Sequence, residues 1–139
     1  DIESEEEKKE LEQVNEDNKD LLETLKEALK DQVQDVKVSS RLKTHPVCLV
    51  SGEGVSFEME KVLSQMPDAQ GVKAGRILEI NPNHQIFTAL QSVFDKDKEK
   101  IKDYASLLYD QALLIEGFSI DDPVGFSNKV CDLMVEANK

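Results

Sequence analysis

The stretch RILEINPNHQIFTAL, residues 76–90, decides the fold because it joins a strand to a helix through a proline turn. RILEI predicts a strand, and Pro82 ends it because proline has no amide hydrogen to donate to a neighbouring strand. Asn83 is the predicted N-cap of the helix HQIFTALQSVF, residues 84–94. A strand followed at once by a helix indicates a domain that mixes the two kinds of element.

The residues before this stretch predict two further strands and two helices. Leucines at helical spacing between charged residues indicate an amphipathic helix from Asn18 to about Gln32. VQDVKVSS and PVCLVS are rich in valine and predict two strands, joined by the short connection RLKTH. A short helix, GVSFEMEKVLSQM at residues 54–66, follows the glycines of the second strand's end, and MPDAQGVKAG breaks it.

Two long helices are predicted after the charged turn DKDKEK, residues 95–100. The first is IKDYASLLYDQALLIEG, which Gly117 ends, and the second is PVGFSNKVCDLMVEA. Asp122 and Pro123 supply the N-cap and the first-turn residue of the second helix. The predicted order is α, β, β, α, β, α, α, α. The predicted fold class is therefore α+β, a small three-stranded sheet packed with helices and ending in a helical hairpin.

The composition is that of one soluble globular domain: 139 residues, 39% apolar and 33% charged. No apolar run approaches the roughly 20 residues that span a bilayer, so a membrane protein is not expected. Residues 1–35 hold 14 of the 29 acidic and 5 of the 17 basic side chains, so most of the net charge of −12 lies there. No basic stripe is present to attract phosphates, and no nucleic-acid binding is expected. Residues 1–17 are predicted to be a solvated or frayed acidic lead-in from a preceding domain, and residues 18–139 the domain itself.

The two cysteines lack the spacing of a metal or redox motif. Cys48 lies in an apolar run and Cys131 in a helical pattern, and we expect both to be buried free thiols. Free thiols favour a reducing compartment, so the predicted location is the cytoplasm. The first residue is Asp rather than Met, which suggests a piece of a longer protein.

The last two helices carry more apolar surface than one core contact requires. Each has two apolar faces, so the hairpin calls for further neighbours. Pairing with the same hairpin of a second copy would give a four-helix bundle. A monomer whose N-terminal helix folds over the hairpin is the equal alternative. The residues predicted at the dimer interface are Leu107, Leu114, Phe126, Val130, Leu133, Met134 and Ala137.

No pattern of catalytic, cofactor-binding or metal-binding residues is present. VSGEGVSF has Phe57 where a dinucleotide loop has its third glycine. DKDKEK has Lys100 where a calcium loop has glycine. His45 and His84 have no second metal ligand three or four residues away. We therefore predict no catalytic residue and no cofactor for this chain.

The short helix at residues 54–66 has an apolar stripe and could serve as a binding surface. Glu58, Glu60 and Lys61 are predicted to lie opposite the stripe, and Ser56 to cap the helix. Burial in the core is the usual role of such a stripe. The helix is short, however, and methionine is common at adaptable binding surfaces. The stripe consists of Val55, Met59, Val62, Leu63 and Met66.

Three motifs resemble the C-terminal domain of the ninety-kilodalton heat-shock chaperones. They are LEINPNHQIFTAL (78–90), DQALLIEGFSIDDPVGFSNKV (110–130) and PVCLVSGEGVSFEMEKVL (46–63). The likeness covers roughly residues 19–137. It implies a dimerisation domain that joins two chaperone chains through the terminal helices. It also implies that the ATP and Mg²⁺ site lies in a separate N-terminal domain, so that this chain is not itself an ATPase.

In this family the helix after the glycine turn contacts unfolded or partly folded client proteins. Carried over by position, the implied client-contact residues are Val55, Met59, Val62 and Leu63. Some eukaryotic relatives have Trp where this chain has Val55, which implies a weaker contact here. The ending EANK, without the acidic tail of eukaryotic members, resembles a bacterial member. The alternative function is a monomeric, non-catalytic structural or adaptor domain.

Overall fold

The computed structural model shows an α+β domain and describes residues 5–39, 45–52, 55–63, 65–66 and 75–139. The helices are α1 (Glu5–Asp17), α2 (Lys19–Ala28), α3 (Phe57–Leu63), α4 (Gln85–Lys96), α5 (Lys98–Glu116) and α6 (Pro123–Ala137), and the strands are β1 (Asp35–Val38), β2 (Val47–Ser51) and β3 (Arg76–Ile80). All three predicted strands are confirmed. The predicted connection at residues 41–44, Gly54 and the helix break at residues 67–74 lie outside the described residues.

The strand β3 is the middle strand of the sheet, whose order is β1-β3-β2. It pairs with β1 in parallel and with β2 in antiparallel. Leu78 lies opposite Val36 on one side and Leu49 on the other, and all three are buried. Since β2 and β3 run antiparallel, α3 does not cross over between parallel neighbours. The segment from β2 to β3 is therefore not a parallel βαβ unit, the setting in which dinucleotide-binding turns occur.

The helix α5 is the centre of the core. Its buried side chains point to more than one side, because α5 packs against β2, α2 and α4 and also contacts α6. Ile101, Ala105 and Ala112 are fully enclosed. The complete set of its buried residues is Ile101, Ala105, Leu107, Leu108, Tyr109, Ala112 and Leu113. The predicted N-terminal helix does cover the hairpin, but α2 lies on α5 and leaves most of α6 uncovered.

Residues 5–17 form the helix α1, whereas the sequence predicted a frayed lead-in there. None of its residues is buried, which explains why the periodic signal was weak. Leu11 and Val14 are nevertheless partly buried against the core. One turn of contact, helped by the acidic first turn at the positive end of the helix dipole, stabilises the helix. That this segment belongs to a preceding domain stays a prediction.

Several helix boundaries differ from the prediction; α2, for example, ends at Ala28 rather than near Gln32. The N-cap of α4 is His84, whose Nδ1 accepts a hydrogen bond from the amide of Ile86 at 3.0 Å. Asn83 lies one residue before the cap, and its backbone amide donates to Asn81 Oδ1 at 2.9 Å. The charged turn is mostly helical, since α4 runs to Lys96 and Asp97 caps α5 through the amide of Glu99. The predicted caps Gly117 and Asp122 are confirmed.

Because α5 is enclosed on some sides and exposed on others, we expect the same substitution at two of its positions to change the free energy of unfolding by different amounts. Ile101 is fully buried, whereas Ile115 is 55% exposed. Ile101→Ala should lower the free energy of unfolding by about 2–5 kcal/mol, because a cavity remains. Ile115→Ala should lower it by less than about 1 kcal/mol. Denaturant unfolding measures both, and equal losses would show that Ile115 is covered too.

Candidate functional site

The first candidate surface is an exposed apolar patch on α3 and on the turn just after it. We call Met59, Val62 and Met66 the α3 patch, and each of them is between 50% and 53% exposed. Ser56 caps the helix as predicted, since its Oγ accepts a hydrogen bond from the amide of Met59 at 3.1 Å. Large apolar side chains that cluster at the surface mark binding sites more often than single ones do.

The opposite face of α3 is buried, and it contains an acid. Phe57 and Glu60 are 6% and 7% exposed. Glu60 therefore lies opposite the α3 patch, as predicted, and on that face it is buried. Glu60 is drawn inward because Arg76 lies beneath it, with 2.8 Å between the guanidinium Nη2 and Glu60 Oε2. A buried carboxylate of this kind requires a hydrogen-bonded cationic partner.

Arg76 connects three parts of the chain. Its Nη2 donates to Glu60 of α3, and its Nη1 donates to the hydroxyl of Tyr109 of α5 at 3.0 Å. Its guanidinium also lies 4.6 Å from the ring centroid of Phe118, which follows α5. Burial raises the pKa of Tyr109, whereas Arg76 lowers it, so Tyr109 remains a neutral hydroxyl near neutral pH. We call Glu60, Arg76, Tyr109 and Phe118 the Arg76 cluster.

Two more contacts attach α3 to the end of α5. Lys61 Nζ donates to the carbonyl of Glu116 at 2.6 Å and lies 4.9 Å from the Phe118 ring centroid. The rings of Phe57 and Phe118 meet edge to face, with 5.4 Å between centroids. A lysine at the last carbonyls of a helix also complements the negative end of its dipole. The inward face of α3 is therefore held by charged and aromatic contacts together.

The second candidate surface is on α6. None of the residues of α6 is buried, although the helix is rich in apolar residues. Its exposed large apolar side chains range from Leu133 at 36% to Val124 at 69%. Leu114 and Ile115 extend the same kind of surface onto the end of α5. We call the set the α6 surface: Leu114, Ile115, Val124, Leu133, Met134 and Val135.

The predicted interface residues fall into three groups. Leu114, Leu133, Met134 and Ala137 are exposed, and Phe126 and Val130 are half-buried. Leu107 is 4% exposed, because within the chain it lines the narrow groove between α5 and α6. Their contact with a second copy stays a prediction.

The predicted client-contact residues divide in a similar way. Met59 and Val62 are exposed in the α3 patch, whereas Val55 and Leu63 are half-buried. Val55 packs against the core. Sequence reasoning missed the Arg76 cluster, because an arginine at the start of a strand gives no sign of an acid in a distant helix. The one available signal was Glu60, three residues after Phe57 and hence on the same helical face.

The other candidate groups provide no site among the described residues. No group of three or more potential ligands there could hold a metal ion. Both cysteines are free; Cys48 is half-buried and Cys131 is exposed, so the predicted burial was wrong for Cys131. Cys48 lies 4.0 Å from Glu79 Oε1, the distance of a weak thiol hydrogen bond. Within the described ranges, no helix has both the length and the apolar character needed to cross a membrane.

The comparisons with known proteins agree with the motifs at the start of α4 and at the turn between α5 and α6. The sequence model of the family described as "Hsp90 protein" matches residues 1–138. A match over nearly the whole chain shows that this chain belongs to the Hsp90 family.

Several bacterial relatives carry the name "Chaperone protein HtpG". The one from Bacillus subtilis is 52% identical over 134 residues, and the one from Clostridium perfringens is 55% identical over 133. The one from Clostridium acetobutylicum is 53% identical over 134 residues. These alignments cover 96% of this chain but only 21% or 22% of each relative. The chain therefore spans about a fifth of the length of these chaperones.

The turn between α5 and α6 gives a prediction about pH. Burial, followed by the charges of Asp121 and Asp122, raises the pKa of Asp110 above 3.8, while Lys129 lowers it. Above about pH 4 the folded chain therefore keeps the Asp110 proton longer than the unfolded chain does. The free energy of unfolding falls as the pH rises through this range, and the loss is still present at pH 7. Asp110→Asn should therefore be the more stable protein at pH 7, and its advantage should shrink toward pH 3.

Thermal unfolding from pH 3 to pH 7 measures this difference. Asp103→Asn removes an equal charge from an exposed position of the same helix and is the matched control for net charge. A gain for Asp110→Asn that is the same at every pH, or the same as the control's gain, would contradict the assignment.

Proposed function

We propose that this chain is the dimerisation and client-contact domain of a bacterial-type Hsp90-family chaperone, from the C-terminal part of the full-length protein. The uncovered α6 surface is the observation that carries the proposal. A fifteen-residue helix that buries none of its side chains, yet exposes valine, leucine and methionine, gains stability only when another surface covers it. The resemblance of the motifs at residues 78–90 and 110–130 supports the same role.

A second copy of the hairpin is the proposed cover of the α6 surface. The α5–α6 hairpin exposes apolar side chains on both of its helices, and two such hairpins can pack around a two-fold axis as a four-helix bundle. A stable dimer requires roughly 1,500 Å² of buried surface or more. In this proposal Leu133 and Met134 lie near the axis and the partly buried Phe126 and Val130 become fully covered.

The α3 patch is the proposed contact for unfolded or partly folded client proteins. Its methionines have flexible, polarizable side chains, which suit a surface that must accept many different sequences. The α3 patch and the α6 surface share no residue, so in this proposal the client and the partner copy use different side chains. Val55 and Leu63 would form its half-buried edge.

We further propose that ATP and Mg²⁺ act in a part of the full-length chaperone outside this chain, and that the chain itself is neither an ATPase nor a nucleotide-binding unit. The proposed location is the cytoplasm, where free thiols such as Cys48 remain reduced. The relatives' name, "Chaperone protein HtpG", supports the chaperone role of the whole protein.

Leu133→Asp should convert a dimer into a folded monomer, because a carboxylate in the centre of the bundle would be desolvated without a partner. We expect the dimer dissociation constant from sedimentation equilibrium to rise by about 30-fold or more. Asn128→Asp adds the same charge at an exposed polar position of α6 and should leave the constant nearly unchanged. A parent chain that is monomeric at all concentrations would favour the adaptor alternative, and an unchanged dimer in Leu133→Asp would refute the interface.

The double variant Met59→Glu and Val62→Glu should weaken client binding by about tenfold, because it replaces the apolar contact area with charge. Fluorescence anisotropy of a labelled, permanently unfolded protein, reduced and carboxymethylated α-lactalbumin, measures the binding. Ala89→Glu and Ser92→Glu place two charges at the same spacing on the exposed face of α4 and serve as the control. Equal losses in both double variants would mean that charge alone, and not the α3 patch, governs binding.

A further inference from the structure

The α3 helix could dock in two orientations, and the structure uses the less obvious one. It has seven residues, too few to be stable without tertiary contacts. Turning the α3 patch inward would bury three large apolar side chains, which is the usual outcome for an amphipathic helix. Instead the helix buries Phe57 and Glu60 and leaves the patch in solvent. Some specific contact must therefore favour the observed orientation.

The ion pair between Glu60 and Arg76 is the buried charged contact among those that favour it, beside the contacts of Lys61 and Phe57 with the end of α5. The Glu60 and Arg76 side chains are largely enclosed, at 9% and 12% exposure, so separating them would remove a close countercharge from each. Breaking such a pair costs far more than forming it gains, which makes it a determinant of geometry rather than of overall stability. As long as Arg76 remains in place, Glu60 points inward and the α3 patch points outward.

Arg76 is in turn held from the other side. Tyr109 of α5 accepts its second hydrogen bond, and Phe118 stacks beneath the guanidinium. The Nε of Arg76 is buried and has no hydrogen-bond partner among the described residues. The guanidinium of Arg76 is thus held by few contacts. If one of them is lost, more of its N–H groups are buried without a hydrogen-bond acceptor. Phe118 directly follows Gly117, whose left-handed φ of 92° ends α5 where the connection to α6 begins.

We propose that Arg76 is a positioning residue that holds the α3 patch outward and couples its orientation to the end of α5, through simultaneous contact with Glu60, Tyr109 and Phe118. That the patch is a client surface rests on the proposed function. The coupling itself does not depend on that function. A movement of the α5–α6 hairpin that displaces Tyr109 or Phe118 would loosen Arg76 and, through Glu60, release α3.

A double-mutant cycle followed by amide hydrogen exchange tests the coupling in the full chain. Glu60 and Tyr109 both bond to Arg76 and have no hydrogen bond to each other. Glu60→Gln should speed exchange of the α3 amides about tenfold, and Tyr109→Phe about threefold, although Tyr109 lies on another helix. The double variant should be faster by clearly less than the thirtyfold product, because the first change already disrupts the shared partner.

The same cycle in an Arg76→Lys background is the decisive step. Lysine keeps the charge but lacks the planar fork that reaches two acceptors, so the two effects should become additive there. Tyr104→Phe, at the other tyrosine of α5, is the matched control and should leave α3 exchange unchanged. A single cooperative unfolding transition in each variant confirms that the chain still folds.

Two results would overturn the proposal. One is unchanged α3 exchange in Tyr109→Phe, and the other is additivity of the two substitutions while Arg76 is present. Because this assay contains no client, it fails or succeeds separately from the proposed function. The double-mutant cycle could show coupling while the Met59→Glu and Val62→Glu double variant still binds clients normally. That result would support the role of Arg76 and would refute the proposed client surface.

Discussion

The structure depends above all on the need to enclose α5. Seven of its nineteen residues are buried, and they point to several sides of the helix. A helix that is apolar on several sides is stable in water only inside a layer of neighbours. The sheet, α2 and α4 cover most of it, and α6 covers the groove at Leu107. The apolar faces of these neighbours are covered by the contact with α5, except that of α6. The helix α6 contacts α5 along one side, and the rest of the α6 helix is exposed.

The elements with strong local signals could be predicted from the sequence. The apolar residues of RILEI, the cap at Asp122 and the glycine at Gly117 are properties of a few adjacent residues, and the structure has the strand, the cap and the helix end that they predict. The helix α1 was missed because its stability comes from two side chains that reach the core across sequence distance. The cap of α4 was misplaced because His84 Nδ1 accepts the amide of Ile86, while the backbone amide of Asn83 donates to Asn81 Oδ1 in the turn before the helix.

The orientation of α3 shows why the candidate site could be predicted only in part. The apolar stripe was correctly identified, but a binary pattern predicts that charged positions face solvent. Glu60 breaks that pattern because its partner, Arg76, lies sixteen residues away on β3, beyond the reach of any local periodicity. The α3 patch is therefore exposed for a reason that lies outside α3. A charge pair between residues far apart in the chain cannot be predicted from a single sequence. Such pairs decide which face of a short helix is exposed to solvent.

The strand order β1-β3-β2 has a consequence for how the chain folds during synthesis. The central strand is the last of the three to leave the ribosome, so neither β1 nor β2 has a hydrogen-bonding partner in this sheet until residue 80 has emerged. The helix that closes the core, α5, follows only after that. Most of the chain must therefore be made before its apolar strands are protected, whereas the local contacts between α5 and α6 form quickly once both exist. For several seconds at ordinary translation rates, the nascent segment would itself present the exposed strands that chaperones bind.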